Sequence, residues 1–251
     1  MSTNALALNW DGVTLPDEIK AGVEELVASY HDQLEETALS GIILYGSGAR
    51  GHYRSGVSDV NLLVILDRVD TAALDHILDT TLSARRYNIA PLLMTPDDLR
   101  SFTRVFPIKL LSFKESYTVL WGEDALAALE VESANLRLRC QQEAQNLLMR
   151  LRRYYLTRQG HARSTMIREH MNGFMEVLRR VVQLAEGEVP RRADLVARAS
   201  AVIGFDSETL RSLMAFRKSS GDQEPEATPG IYNSFMLLAE QVARFTEKLG
   251  E

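Results

Sequence analysis

The residues that could do chemistry are concentrated in one short stretch, Leu44-Tyr45-Gly46-Ser47-Gly48-Ala49-Arg50-Gly51, followed after His52–Ser58 by Asp59-Val60-Asn61-Leu62-Leu63-Val64. A buried strand runs into Gly46 and Ser47, and the chain is then expected to turn into a short helix. Glycines let the backbone approach a ligand, and free N–H groups at a helix start bind phosphate oxygens. Ser47 adds a hydroxyl, and Arg50 and Arg54 lie in the loop where a phosphate would sit. Side chains alternate along a strand, so residues 59 and 61 are expected on one face. Acids at that spacing hold Mg²⁺, a hard ion that takes oxygen ligands and bridges to substrate phosphates. This is the equipment of phosphoryl or nucleotidyl transfer. The plain alternatives are a strand-to-helix turn at Gly46-Ser47, a turn-capping Asp59 and solvated loop arginines. His52 has no second histidine or cysteine at metal-ligand spacing.

The positioning elements are legible around this stretch. Ile19, Val23, Leu26, Val27, Tyr30 and Leu34 recur at helical spacing within Pro16–Glu36. Gly41–Tyr45, Asp59–Leu66 and Ile89–Met94 read as strands, and Tyr117–Trp121 as a further short one. Thr71–Arg85 reads as a helix with Thr71 as its cap. Thr95-Pro96-Asp97-Asp98 is a helix start, with a capping hydroxyl, proline in the first turn and acids at the positive dipole end. Pro91 inside a strand points to an edge position or a bulge.

At these landmarks the sequence resembles the nucleotidyltransferase domain of the polymerase-beta superfamily, in particular its small bacterial members and the aminoglycoside nucleotidyltransferases. The matching features are Gly46-Ser47 after a strand, Asp59 and residue 61 on the next strand, Thr95-Pro96-Asp97-Asp98-Leu99, and the closing strand Tyr117–Asp124. They cover roughly residues 17–125. The resemblance implies a mixed sheet flanked by helices, a nucleoside triphosphate held by Gly46, Ser47, Arg50 and Asn61, and Asp59 as metal ligand and catalytic acid residue. It also implies Mg²⁺ as cofactor. Asn61, however, stands where the second carboxylate is expected, and the third should fall near Ala90, where Asn88-Ile89-Ala90-Pro91-Leu92 holds no acid. An asparagine offers a neutral carbonyl oxygen and neutralises no cation. The expectation is therefore a nucleotide-binding protein with a degenerate metal site and weak or no transfer activity. The alternative is an active transferase that moves a nucleoside monophosphate onto a small hydroxylated acceptor.

Beyond about residue 128 strand signals cease. Ser133–Arg158, Ser164–Glu186, Arg192–Ile203, Ser207–Lys218 and Gly230–Leu249 carry helical patterns, with Ser219–Pro229 as a polar loop. The chain is thus expected to be α+β, with a nucleotidyltransferase-like domain over 1–127 and an all-α helical bundle over 128–251. Leu136, Cys140, Ala144, Leu147, Leu148 and Leu151 form one core stripe, and Met171, Phe174, Leu178 and Val181 another. Glu169 and Glu176 are the acids in the central basic region, and no motif gives either a catalytic role. Arg163 and His170 resemble the Arg-x(4–6)-His pattern of helical domains that accompany small nucleotidyltransferases, some of which cut RNA; an RNA-processing or interaction module is the third reading, and a solvated helix face its plain counterpart.

The composition bounds the partners. The 251 residues carry a net charge of −6 and one cysteine, Cys140. Residues 1–130 hold ten Lys/Arg against nineteen Asp/Glu, whereas residues 131–251 hold eighteen against fifteen. An acidic chain is a poor generic nucleic-acid binder. A single cysteine fits a reducing compartment, and no apolar run approaches membrane-span length. With no secretory signal in the first dozen residues, the expected location is cytoplasmic. A homo-oligomer is compatible with the sequence.

Overall fold

The computed structural model describes residues 6–34, 38–158, 161–219 and 229–249. Most of the polar loop expected over Ser219–Pro229, and the end of the first helical pattern at Glu35 and Glu36, lie outside them. The protein is α+β. Its chain separates into two compact units, Met1–Val131 and Glu132–Glu251.

The first unit is built on a four-stranded mixed sheet. Its strands are β1 (Leu39–Tyr45), β2 (Val60–Leu66), β3 (Ile89–Met94) and β4 (Tyr117–Gly122), in the order β3-β2-β1-β4. The β1 strand is antiparallel to both β2 and β4, and β2 is parallel to β3. Strand alternation divides the apolar side chains between two cores. Val60, Leu62, Val64 and Leu66 enter the core that contains Ile42 and Leu44, while Leu63 and Ile65 join Ile43 on the other face. Helices α1 (Asp17–Gln33) and α2 (Thr71–Ala84) cover the first face with Val23, Leu26, Val27 and Ile77. A Tyr30–Thr81 hydroxyl hydrogen bond of 2.6 Å ties α1 to α2. Helices α3 (Pro96–Val105) and α4 (Pro107–Lys114) bring Leu99, Leu110 and Phe113 to the second face.

Local chemistry sets the ends of these elements. Thr95 caps α3 in a full capping box, its hydroxyl accepting from the Asp98 N–H while the Asp98 carboxylate accepts from the Thr95 N–H. The cap of α2 is Asp70 rather than Thr71, because the Asp70 carboxylate reaches the Ala73 N–H at 2.9 Å. Pro91 sits on β3, an edge strand with β2 as its only neighbour among the described residues, so its missing N–H leaves no gap in a central ladder.

The second unit is all helix over its described residues: α5 (Ser133–Thr157), α6 (His161–Glu186), α7 (Leu195–Ile203), α8 (Ser207–Lys218) and α9 (Pro229–Lys248). Helix α5 packs against α6 and α9, and α6 also packs against α7. Leu136, Cys140, Ala144, Leu147, Leu148 and Leu151 are all buried on α5, as their spacing requires. Arg180 is buried with them, its guanidinium donating to Glu176 and to the Gln183 side-chain oxygen at 2.9 Å each. Among the described residues no helix is long and apolar enough to cross a membrane.

Candidate functional site

One end of the sheet gathers the residues singled out by the sequence. Here β1 ends and β2 and β3 begin. The ladder places Ala90 opposite Asn61, Asn61 opposite Tyr45, and Tyr45 opposite Tyr117, so a single row crosses all four strands. The register has an identifiable cause. Asn88 takes a left-handed conformation (φ 53°) after the turn Arg85–Tyr87, and its carbonyl accepts the Val60 N–H at 2.8 Å. Asparagine tolerates that conformation better than other non-glycine residues. The bond fixes the start of β2 beside the start of β3, and the Asn61–Ala90 pairing follows.

Gly46 is the first residue after this row on β1. Its φ of +80° suits glycine, and an added Cβ would lie 3.2 Å from the Asn61 Nδ2. The chain after it does not enter the expected helix. Residues 46–51 form consecutive turns, closed by hydrogen bonds from Arg50 N–H to the Gly46 carbonyl (3.1 Å) and from His52 N–H to the Ser47 carbonyl (3.0 Å). Gly51, at φ +68°, ends this coil after one turn. Gly48 is buried, in a spot where a Cβ would come within 3.3 Å of Leu44, so the turn is pinned down on the core.

The remaining site residues fall as follows. Ser47 and Arg50 are half-buried in the turn, whereas His52 and Arg54 are exposed. Asp59 is exposed and lies one residue before β2, not within it. The Asn61 amide donates to the Asp59 carbonyl at 3.4 Å. Gly46, Asn61 and Ala90 are therefore neighbours, with Asp59 at the mouth of the same strand.

Two aromatic residues that the sequence reading left out complete the row. Tyr45 packs on Phe113 with ring centroids 4.5 Å apart, and burial pushes its phenol pKa above the ordinary value. Tyr117 donates a hydrogen bond to the Asp124 carboxylate at 2.9 Å, and its pKa is raised too, first by burial and then by that bond. Both phenols stay protonated at neutral pH and wall this end of the sheet. Strand alternation puts Tyr45 on the face of Ile43, and the strand register sets it beside Asn61 and Tyr117.

These residues do not fit a two-metal centre. The position opposite Asn61 holds the Ala90 methyl, and Asn61 itself is neutral. A pair of divalent cations needs several anionic oxygens around it, and Asp59 supplies one carboxylate. Among the described residues no three His, Cys, Asp or Glu side chains are grouped to hold a metal.

In the helical unit, Arg163 and His170 are both engaged with α5. Arg163 donates to the carbonyls of Arg158 and Tyr155 at 2.9 and 2.8 Å, and His170 lies 3.4 Å from an Arg150 nitrogen. Glu176 pairs with Arg180, and Glu169 is exposed. A cleft of about 630 Å³, lined by Ile65, Pro96, Arg100 and Glu123 among others, lies at the opposite end of the sheet from Gly46. No protein-family model matches this sequence, and no curated protein matches it significantly.

Proposed function

We propose that the first unit is a nucleotidyltransferase-type domain that still holds a nucleoside triphosphate at the Gly46–Ser47 turn and has lost most of its capacity for transfer. Its role is then regulatory, with nucleotide occupancy as the signal, and the second unit is a helical bundle appended to it. The observation that carries this reading is the Asn61–Ala90 pairing beside Gly46. The two positions at which the resemblance expects carboxylates are neighbours at the end of the sheet, next to the glycine-serine turn, and they hold an amide and a methyl. The left-handed Gly46, the Thr95 capping box and the β2–β3 parallel pair support the same reading.

In this site the chain's own groups would act on the phosphates directly. The turn over residues 46–51 offers N–H groups, Ser47 a hydroxyl, and Arg50 a guanidinium as counter-charge. The Asn61 amide and the Tyr45 phenol are polar groups of the row below.

The test is calorimetric titration with each of the four nucleoside triphosphates, with and without Mg²⁺. Binding that depends on Ser47 and weakens at least tenfold in Ser47→Ala is expected. Absence of heat for all four at about millimolar ligand would remove the nucleotide site. Release of pyrophosphate in the presence of a hydroxylated acceptor would restore the active-transferase reading.

A further inference from the structure

The second half of α5 carries a charge arrangement unlike the rest of the chain. Residues 144–168 contain six arginines and no aspartate or glutamate, within a protein of net charge −6. Arg150, Arg153, Tyr154, Thr157 and Arg158 recur at the i, i+3, i+4, i+7, i+8 spacing of one helical stripe. That stripe extends about 12 Å along the axis at the usual rise per residue. Arg153, Tyr154, Thr157 and Arg158 line one hollow on its surface. Arg150, Arg153 and Arg158 are exposed, and among the described residues no carboxylate forms an ion pair with them; Arg152, off the stripe, is 3.9 Å from Glu240.

The cationic stripe sits at a helix C-terminus, where unsatisfied carbonyls normally make the surroundings negative. Arg163 of α6 offsets this. Its guanidinium donates to the carbonyls of Tyr155, in the last turn of α5, and of the cap residue Arg158, and lies 4.2 Å from the Tyr155 ring centroid. Tyr155 remains 41% exposed with that cation fixed on its face. Guanidinium groups, the Thr157 hydroxyl and the Tyr154 ring on one short stripe combine phosphate contacts with a π surface for stacking, and Tyr155 lies off the stripe.

We propose that the C-terminal two turns of α5 are a binding surface for single-stranded nucleic acid. Arg150, Arg153 and Arg158 contact successive phosphates, Thr157 adds a hydrogen bond, and a base stacks on Tyr154 in the hollow between them. Base–aromatic stacking tolerates any sequence, so the surface reads backbone and single-strandedness rather than a motif. A duplex hides its bases and offers Tyr154 nothing. An anionic lipid surface would meet the arginines equally, but the stripe offers it little to insert, since the exposed Leu156 and Met149 lie off it. The proposal concerns the second unit alone and stands whether or not the first unit holds a nucleotide.

The test uses the full chain and fluorescence anisotropy with labelled oligouridylate and oligothymidylate of about 12 nucleotides. Binding of both is expected, with affinity falling at least tenfold between about 50 and about 200 mM salt. Arg153→Glu/Arg158→Glu should lower affinity at least tenfold, and Tyr154→Ala by about tenfold. Arg85→Glu/Arg104→Glu, an equal charge change at exposed sites of the first unit, should bind as the parent does. Circular dichroism of all variants should superimpose on the parent. No binding of either oligonucleotide, or equal binding by Arg153→Glu/Arg158→Glu, overturns the proposal. So does binding to phosphatidylserine vesicles without binding to oligonucleotides, since the stripe would then serve a lipid surface.

Discussion

Asn61 and Ala90 stand opposite each other on the parallel strands β2 and β3, two residues beyond the Asn88 carbonyl that accepts the Val60 N–H. The pairing puts an amide and a methyl side by side at the two positions where the proposed reading would need carboxylates. One acid beside an amide could still share a cation with a neighbouring strand; here that neighbour is a methyl, so no second carboxylate meets the strand at this level. Gly46 ends β1 in a left-handed conformation at φ +80°, one residue past the row.

Replacement of Gly46 by alanine is expected to destabilise the protein by about 1–2 kcal/mol, the penalty for a side chain in the left-handed region. The new methyl must also displace the Asn61 amide, 3.2 Å away. The denaturant midpoint should fall, and any nucleotide binding should weaken with it, because the turn and Asn61 move together. An unchanged midpoint would mean the turn relaxes freely and is no fixed cradle.

Gly22 gives a prediction of opposite sign to helix propensity. It lies inside α1, where alanine normally stabilises by about 1 kcal/mol. A Cβ at Gly22 would approach the Tyr87 ring to 2.5 Å, near the ring's own root. Gly22→Ala is therefore expected to destabilise by about 1–3 kcal/mol. In a Tyr87→Ala background the loss should vanish, a non-additivity that thermal melts of the four species would read directly.

Cys140 is buried in the α5 core, and burial pushes its thiol up to about 12, with nearby Arg180 pulling the other way. The thiolate is the reactive form, so the native protein should resist a thiol reagent at pH 8 and react at once when unfolded. The same shift favours the protonated folded state. Stability from this group is complete below the unfolded thiol pKa, and it is lost as pH rises from about 9 towards about 12. Rapid labelling in native buffer would place the thiol at the surface instead.

Much of this was legible in the sequence, and the failures have physical causes. The strand Ile89–Met94 and the Thr95 cap follow from β-branched and apolar runs and from a capping box written in adjacent residues. Pro91 announced an edge, because only an edge strand tolerates a missing donor in this sheet. The helix expected after Ser47 was not there, since Gly48 and Gly51 weaken it from both sides and Gly51 turns left-handed. Asp70, not Thr71, caps α2 because cap choice depends on which side chain reaches the third N–H. The row Ala90–Asn61–Tyr45–Tyr117 was out of reach, since it depends on the register of three ladders, of which the β2–β3 one rests on Asn88 bonding to Val60 across 28 residues of chain. The arginine stripe was visible as composition, yet only helix phase separates Arg150, Arg153 and Arg158 from Arg152.

The central claim is that this site keeps a nucleotide cradle and lacks its metal acids, and the most direct measurement is the Mg²⁺ dependence of nucleoside triphosphate affinity in the parent protein and in Asn61→Asp/Ala90→Asp. The parent's affinity is expected to change little with Mg²⁺. The double variant, with acids opposite each other beside Asp59, should gain at least tenfold in affinity when Mg²⁺ is added. Equal affinity in the variant with and without Mg²⁺, or a strong Mg²⁺ requirement in the parent, would contradict it.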